Sequence, residues 1–218
     1  FIFLEEGDIA CLTRGGIEIR DIDGQAVTRP VKESEIVADA MDRGRYRHFM
    51  QKEIHEQPRA VAETLEDRVG ETRAFEQAFG PEAADIFSRT RAVQIVACGT
   101  SYHAGLVAKY FIEKLCGLPC MVEIASEYRY RQPVVPADTL YVTISQSGET
   151  LDTLEALRMA KKLDYLAYLG ICNVPESGLV RESDLVLMTR AGPEIGVAST
   201  KASTTQLAAL SLLGVSLA

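Results

Sequence analysis

Ser145-Gln146-Ser147-Gly148-Glu149-Thr150 joins a strongly apolar run at 140–144 (Leu-Tyr-Val-Thr-Ile) to a helical pattern with Leu151, Leu154, Leu157 and Ala160 on one face. Three hydroxyls and a glycine therefore stand on the turn between a strand and a helix. The first backbone N–H groups of a helix have no intrahelical partner and carry partial positive charge, so an anion placed there is bound by both. Short hydroxyls reach the remaining oxygens of a phosphate, and Gly148 lets the backbone approach closely. A helix cap accounts for one hydroxyl, Thr150 or Ser147. A cluster of them beyond a buried strand describes a phosphate cradle.

Other phosphate and nucleophile motifs do not fit. The chain has neither G-x-x-x-x-G-K-[ST] nor G-x-G-x-x-G, so a P-loop and a dinucleotide fingerprint are both unsupported. Gln146-Ser147-Gly148 comes near a nucleophile elbow, but Ser145 stands where G-x-S-x-G needs glycine. None of the three histidines (His48, His55, His103) follows Ser147, which argues against a serine hydrolase.

Composition narrows the classes further. The chain has 218 residues and a formal charge of −8, with no basic block, so no nucleic-acid surface is indicated. No apolar run approaches a membrane span and no signal peptide is visible. The five cysteines (11, 98, 116, 120, 172) form no C-x-x-C pair, and Gly117 and Pro119 break any helix that would align Cys116 with Cys120. They read as buried free thiols of a reducing cytoplasm. His48 and His55 lie two turns apart on a helical stretch without acidic or cysteine ligands at matching spacing, which is a poor metal site. Phe1 opens in mid-strand and Ala218 closes inside an apolar helical pattern, the texture of a segment from a longer polypeptide.

Working outward, three zones differ in texture. Residues 1–38 read as β, with apolar runs at 1–4, 9–13 and 17–20 separated by Glu6-Gly7-Asp8, Gly15-Gly16 and Asp23-Gly24. Such strands are too few to close a sheet alone. The next zone, to about residue 90, is charged and helical. Tyr46, Met50 and Ile54 repeat every four residues up to Gln57-Pro58, then Val61, Leu65 and Val69 do so up to Gly70. The charges there read mostly as solvated helix faces.

From residue 93 strands and helices alternate. Strands are expected at 93–97, 121–124, 140–144, 165–171 and 185–188, with helices at 104–115, 126–130, 151–163 and about 200–218. Helix 104–115 reads as buried on much of its surface. Strands apolar on both faces and separated by helices predict a parallel sheet covered on both sides, a flavodoxin-like three-layer α/β fold. Ligands of such sheets bind beyond the carboxyl ends of the strands, where strand order reverses. Three hydroxyl-rich helix starts fall at such ends: Thr100-Ser101, the 145–150 turn, and Gly196-Val197-Ala198-Ser199-Thr200-Lys201. Together they describe a pocket for a small polyhydroxylated anion, a sugar phosphate better than a nucleotide, since no aromatic platform accompanies them. His103, one turn into a helix, lies beside that pocket.

The set Cys98-Gly99-Thr100-Ser101, Glu123-Ile124-Ala125-Ser126-Glu127, Ser145 to Thr150 and Gly196 to Lys201 resembles the first sugar-isomerase (SIS) domain of the isomerising glutamine:fructose-6-phosphate amidotransferase family. Residues 1–38 are similar to the tail of that family's glutaminase domain, 39–82 to its interdomain linker and helices, including the segment from Tyr46 to Pro58, and 83–218 to the first SIS domain, truncated. The resemblance implies phosphate binding by Ser145, Gln146, Ser147 and Thr150. It implies sugar contacts by Thr100, Ser101, Val197, Ala198 and Ser199, through backbone groups at Val197 and Ala198. It further implies fructose 6-phosphate as substrate, glucosamine 6-phosphate as product, no metal or organic cofactor, and a homodimer through SIS domains in the cytoplasm. The family's amidase cysteine, isomerisation base, reactive lysines and ring-opening histidine match no position in this sequence. The segment is thus expected to supply the sugar-phosphate half and no catalytic residue, with Glu149 and Lys201 structural. A sugar-phosphate sensor joined to a helix-turn-helix, or a plain sugar-phosphate isomerase, gives no reason for the glutaminase-like tail.

Overall fold

The structure, a computed structural model, describes residues 2–31, 33 and 42–218. It forms two compact units, Phe1–Asp42 and Arg43–Ala218; the expected division near residue 38 lies outside the described residues. In the first unit β1 (Ile9–Thr13), β2 (Gly16–Arg20) and β3 (Ala26–Val27) make an antiparallel sheet. The expected run at 1–4 yields only a single bridge, Ile2 to Val31, with Phe1 outside the described residues. Ile19 is buried while Ile9, Leu12 and Ile17 are exposed; so small a sheet buries few of its side chains. Cys11 on β1 is exposed too, which corrects its expected burial.

In the second unit, β4 (Ala92–Ala97), β5 (Cys120–Ile124), β6 (Thr139–Ser145), β7 (Ala167–Cys172) and β8 (Leu185–Met188) form one sheet, order β5-β4-β6-β7-β8. Every neighbouring pair is parallel. Alternate residues feed two cores. Val93, Ile95, Leu140, Val142 and Leu169 face a layer with α2 (Ala83–Arg89), α3 (Gly99–Cys116) and α7 (Lys201–Leu217). Val96, Tyr141 and Cys172 face α4 (Ala125–Tyr128), α5 (Leu151–Ala160) and α6 (Gly178–Glu182). The expected three-layer α/β fold is therefore present. Tyr141 meets Tyr128, Tyr165 and Tyr168 in a cluster of tilted and edge-on rings, and Tyr128 and Tyr165 share a hydroxyl–hydroxyl bond of 2.7 Å.

Helices α3 and α1 differ most from expectation. Helix α3 starts at Gly99, five residues early, and buries only the stripe Ser101, Ala104, Gly105, Ala108 and Ile112. Val107, Tyr110 and Leu115 on its other side are exposed. It stops at Cys116 on Gly117, in the left-handed region at φ 65°, and Cys120 begins β5 with its thiol pushed up to about 12 by burial.

Helix α1 (Phe49–Leu65) runs straight through Pro58. Proline removes the N–H that would bond the Ile54 carbonyl, and the Gln57 side-chain Nε2 donates to that carbonyl instead, at 2.9 Å. The buried face is also not the apolar one: Glu53, Ala60 and Thr64 are inside, whereas Met50 and Ile54 are exposed. Tertiary hydrogen bonding overrides the hydrophobic period here, for reasons that become plain at the site.

Two glycines are required by space. A Cβ on Gly105 would lie 2.9 Å from Ile95 Cγ2, so glycine sets how closely α3 lies on the sheet. Gly148 has φ 68°, and a Cβ there would fall 2.0 Å from Ser177 Oγ and 2.7 Å from Cys172 Sγ. Gly148→Ala therefore meets both backbone strain and overlap, and is expected to cost at least about 1–3 kcal/mol in chemical denaturation. Ser177→Gly should recover part of that loss; an unshifted midpoint in the single variant would contradict the packing described.

In the first unit, Arg29 forks onto Asp8, with Nε–Oδ2 at 2.8 Å and Nη2–Oδ1 at 2.9 Å. That pair holds the Asp8 carboxyl at about 2, below its ordinary 3.8. A carboxyl held low stabilises above its unfolded value and loses that contribution as pH falls through the folded one. Carbon-detected NMR should find Asp8 titrating near 2 and Arg29→Ala returning it towards the ordinary value; a midpoint indifferent to Arg29 would refute the assignment.

Candidate functional site

Strand order reverses between β4 and β6, the only neighbours from which the chain winds outwards in both directions. Their carboxyl ends run into Cys98-Gly99-Thr100-Ser101 and into the 145–150 turn. Helices α3 and α5 begin there, and neither start is capped by a side chain. Their first-turn N–H groups thus point off the carboxyl edge without an intrahelical partner. Helix α7 lies along α3, with Cys116 Sγ 3.1 Å from the Gly214 carbonyl and Phe111 against Gly214. Both contacts join the carboxyl-terminal turns of the two helices. The helices therefore run parallel, and the α7 start, with the 196–200 segment before it, belongs to the same edge.

The 145–150 turn is organised around the Ser145 hydroxyl. It accepts the Gly148 N–H at 3.0 Å and lies 3.2 Å from the Thr150 hydroxyl. Ser147 Oγ accepts the Glu149 N–H at 3.2 Å. Thr150 is the N-cap residue of α5 by position, yet its hydroxyl meets that of Ser145 and does not cap the helix. Simple capping thus explains neither Ser147 nor Thr150. Ser145 is buried, Gln146 and Ser147 are half-buried and Thr150 is exposed. The turn is fastened behind: the Gly148 carbonyl accepts the Leu179 N–H at 3.0 Å and the Gln146 carbonyl the Asn173 N–H at 3.3 Å.

Glu149 serves the neighbouring helix and not its own. Its Oε1 accepts the Gly178 N–H at 2.7 Å, at the start of α6. Beside the first turn, Thr100 is exposed, Ser101 is buried, and the exposed His103 rests its ring against Tyr102.

The third turn shows what α1 is for. Glu194 caps α7, its Oε1 accepting the N–H groups of Thr200 at 2.9 Å and Ala202 at 3.1 Å. Its Oε2 accepts the Ser199 hydroxyl at 3.1 Å. Glu53 of α1 accepts the N–H groups of Ile195 at 2.6 Å and Gly196 at 2.9 Å on its Oε1. Glu56 pairs with Lys201 at 2.7 Å, and Gln57 Oε1 accepts the Thr204 hydroxyl at 2.5 Å. Further along the helix Thr64 reaches the Thr189 carbonyl, and Arg68 beyond its end reaches that of Met188 at 2.6 Å. Burial raises the Glu56 carboxyl, but the ammonium groups of Lys201 and Lys52 outweigh it and hold the group below its ordinary value. The polar face of α1 thus grips the chain from the end of β8 into α7, leaving Val197 and Ala198 exposed.

Glu53, Glu56 and Glu194 were not singled out in the sequence. Glu53 and its loop partners are separated by more than 140 residues, and only the oddity of a carboxylate facing inward on a helix marks it. The carboxylates and the lysine beside the three turns are already committed: Glu149 to α6, Glu194 to α7, Glu53 to the loop, Lys201 to Glu56. What remains on offer is main-chain N–H and hydroxyl groups, which bind anions and polyols, with the exposed His103 beside the first turn. Among the described residues no cluster of histidine, cysteine or carboxylate side chains could hold a metal ion. Among the described residues no helix is long and apolar enough to cross a membrane.

Comparison with known proteins agrees with this geometry. The SIS domain family model matches residues 86–216. The glutamine--fructose-6-phosphate aminotransferase (isomerizing) of Pseudomonas syringae pv. tomato is 62% identical over 217 residues, all of this chain and 36% of that protein. The protein of the same name from Pectobacterium atrosepticum is 55% identical over 98% of the chain and 35% of its own length. The chain thus spans about a third of the length of these curated relatives. Among solved structures, the C-terminal domain of glucosamine-fructose-6-phosphate aminotransferase from Francisella tularensis superposes with a TM-score of 0.77 at 54% identity, covering 79% of this chain and 48% of that one. Tagatose-6-phosphate ketose/aldose isomerase from Escherichia coli shares the fold at a TM-score of 0.62 and 19% identity, over 78% of this chain and 47% of its own. A doubly wound parallel sheet, a hydroxyl-lined turn at its switch point and a family match over most of the chain lead to one conclusion: the chain belongs to the SIS domain family.

Proposed function

We propose that this chain is the sugar-phosphate-binding part of an isomerising glutamine–fructose-6-phosphate aminotransferase. In this reading residues 1–38 are the tail of its glutaminase domain, 39–82 the linker and helices, and 83–218 the first SIS domain. The observation that carries it is the Ser145 turn at the β4/β6 switch point, beside two uncapped helix starts, in a chain 62% identical along its length to a protein of that name.

The phosphate of fructose 6-phosphate sits against the α5 start. Ser147 and Thr150 donate hydroxyl hydrogen bonds to it, with the Ser145 hydroxyl and the Gln146 side chain alongside. The sugar lies towards Thr100, Ser101 and the Val197-Ala198-Ser199 segment. Since the Ser199 hydroxyl already donates to Glu194, it meets the sugar as an acceptor, receiving a sugar hydroxyl. The complete protein adds glutamine-derived ammonia to the fructose 6-phosphate carbonyl and isomerises the adduct to glucosamine 6-phosphate. The base for that proton shift comes from sequence other than this chain, whose carboxylates at the site are already engaged in holding its loops. The assembly is a cytoplasmic homodimer through its SIS domains, with no metal or organic cofactor.

Calorimetric titration with fructose 6-phosphate tests the cradle. Ser147→Ala with Thr150→Ala should weaken binding by about ten- to a hundredfold, because a hydrogen bond to a charged group contributes about 1.5–3 kcal/mol. Unaltered affinity in a folded double variant would leave those hydroxyls no part in binding. Extended to the length of its relatives, the protein should form glucosamine 6-phosphate only when glutamine is supplied; a full-length protein producing none would remove the assignment.

A further inference from the structure

Glu53 is the feature that the binding geometry leaves unexplained. It is 2% exposed, and one carboxylate oxygen accepts two main-chain N–H groups while the other, Oε2, is buried without any partner. A buried charge is costly unless paired or fully hydrogen-bonded. The same face of α1 is filled more cheaply by Ala60 and Thr64 further along. A Cβ on Gly196 would lie 2.4 Å from Oε2 and 3.4 Å from the Met50 Cα. Glycine at 196 is thus what admits the loop against the carboxylate, and the next three residues are Val197, Ala198 and Ser199.

We propose that Glu53 is a positioning residue for the sugar-binding turn, fixing Val197 to Ser199 by holding the N–H groups of Ile195 and Gly196. The inference rests on the assignment of those three residues to the sugar. Glu53 itself touches no ligand; it acts through the loop, and α1 becomes part of the site's support. An amide keeps the accepting oxygen and removes the buried charge, so Glu53→Gln should serve where Glu53→Ala cannot. The phosphate cradle at 145–150 is held by the main-chain N–H groups of Asn173 and Leu179; Asn173 also bonds the loop, but at Thr189, Ala191 and Gly192, ahead of the residues Glu53 holds, so the cradle should not sense the change.

The 218-residue chain is titrated with fructose 6-phosphate and, separately, with inorganic phosphate. Glu53→Ala should raise Kd for the sugar phosphate about tenfold, equivalent to one lost hydrogen bond of a well-placed kind. Kd for inorganic phosphate should stay unchanged and Glu53→Gln should restore sugar-phosphate affinity. Amide exchange at Ile195 and Gly196 should quicken in Glu53→Ala alone. Equal losses for both ligands, no loss for either, or no restoration by glutamine would each overturn the proposal. If Glu53→Ala does not fold, Glu53→Asp, one methylene too short to hold both amides, is read in the same way. A wild-type chain that ignores fructose 6-phosphate overturns the sugar-phosphate reading and this inference together; a wild type that binds, with Glu53→Ala equal to it, overturns this inference alone.

Discussion

Burying both faces of a parallel sheet leaves its two ends as the outlets for polar chemistry. In this chain β4, β6 and β7 are sealed above and below, so unpaired main-chain groups collect where strands hand over to helices. At the carboxyl end these groups are N–H donors at helix starts, and the reversal of strand order between β4 and β6 opens the gap in which a ligand can reach them. Hydroxyls at Ser145, Ser147 and Thr150 then tune a place that the fold supplies in any case. The carboxylates at this edge are committed to scaffolding, holding the backbone of its turns in shape.

The second recurring device is a carboxylate that accepts main-chain N–H groups from a different element. Glu149 does this for α6, Glu194 for α7 and Glu53 for the loop before α7. Each joins segments that apolar packing would leave free to slide, since oily contacts are indifferent to small shifts while a charged hydrogen bond is directional. The sheet provides the bulk of the cohesion, and these few bonds provide registration at the edge where registration matters.

Much of this was readable from the residues. The five strands of the second unit announced themselves as largely apolar runs, and the run at 185–188 matched to the residue. The Ser145 turn was evident because hydroxyls and glycine sit between a strand pattern and a helix pattern. The α3 start was missed because glycine and hydroxyls look like a loop while its helical neighbours come later. Helix α6 has five residues, too few for any periodicity to register. The face of α1 was misjudged for a different reason: Met50 and Ile54 carry the period, but Glu53, Thr64 and Arg68 carry the bonds, and their partners lie more than a hundred residues away. Local sequence records propensity, and it is silent about contacts made across the chain.

Gln57 shows how finely such a contact discriminates. Its amide nitrogen repairs the gap that Pro58 opens in α1, and its amide oxygen receives the Thr204 hydroxyl of α7. One small dipole therefore mends α1 and ties it to α7, and the Ile54 carbonyl on one side dictates which way round it must sit. Glutamate, identical in outline, would set an oxygen against that carbonyl. At this half-buried position shape counts for little, and the two ends of a single amide are not interchangeable.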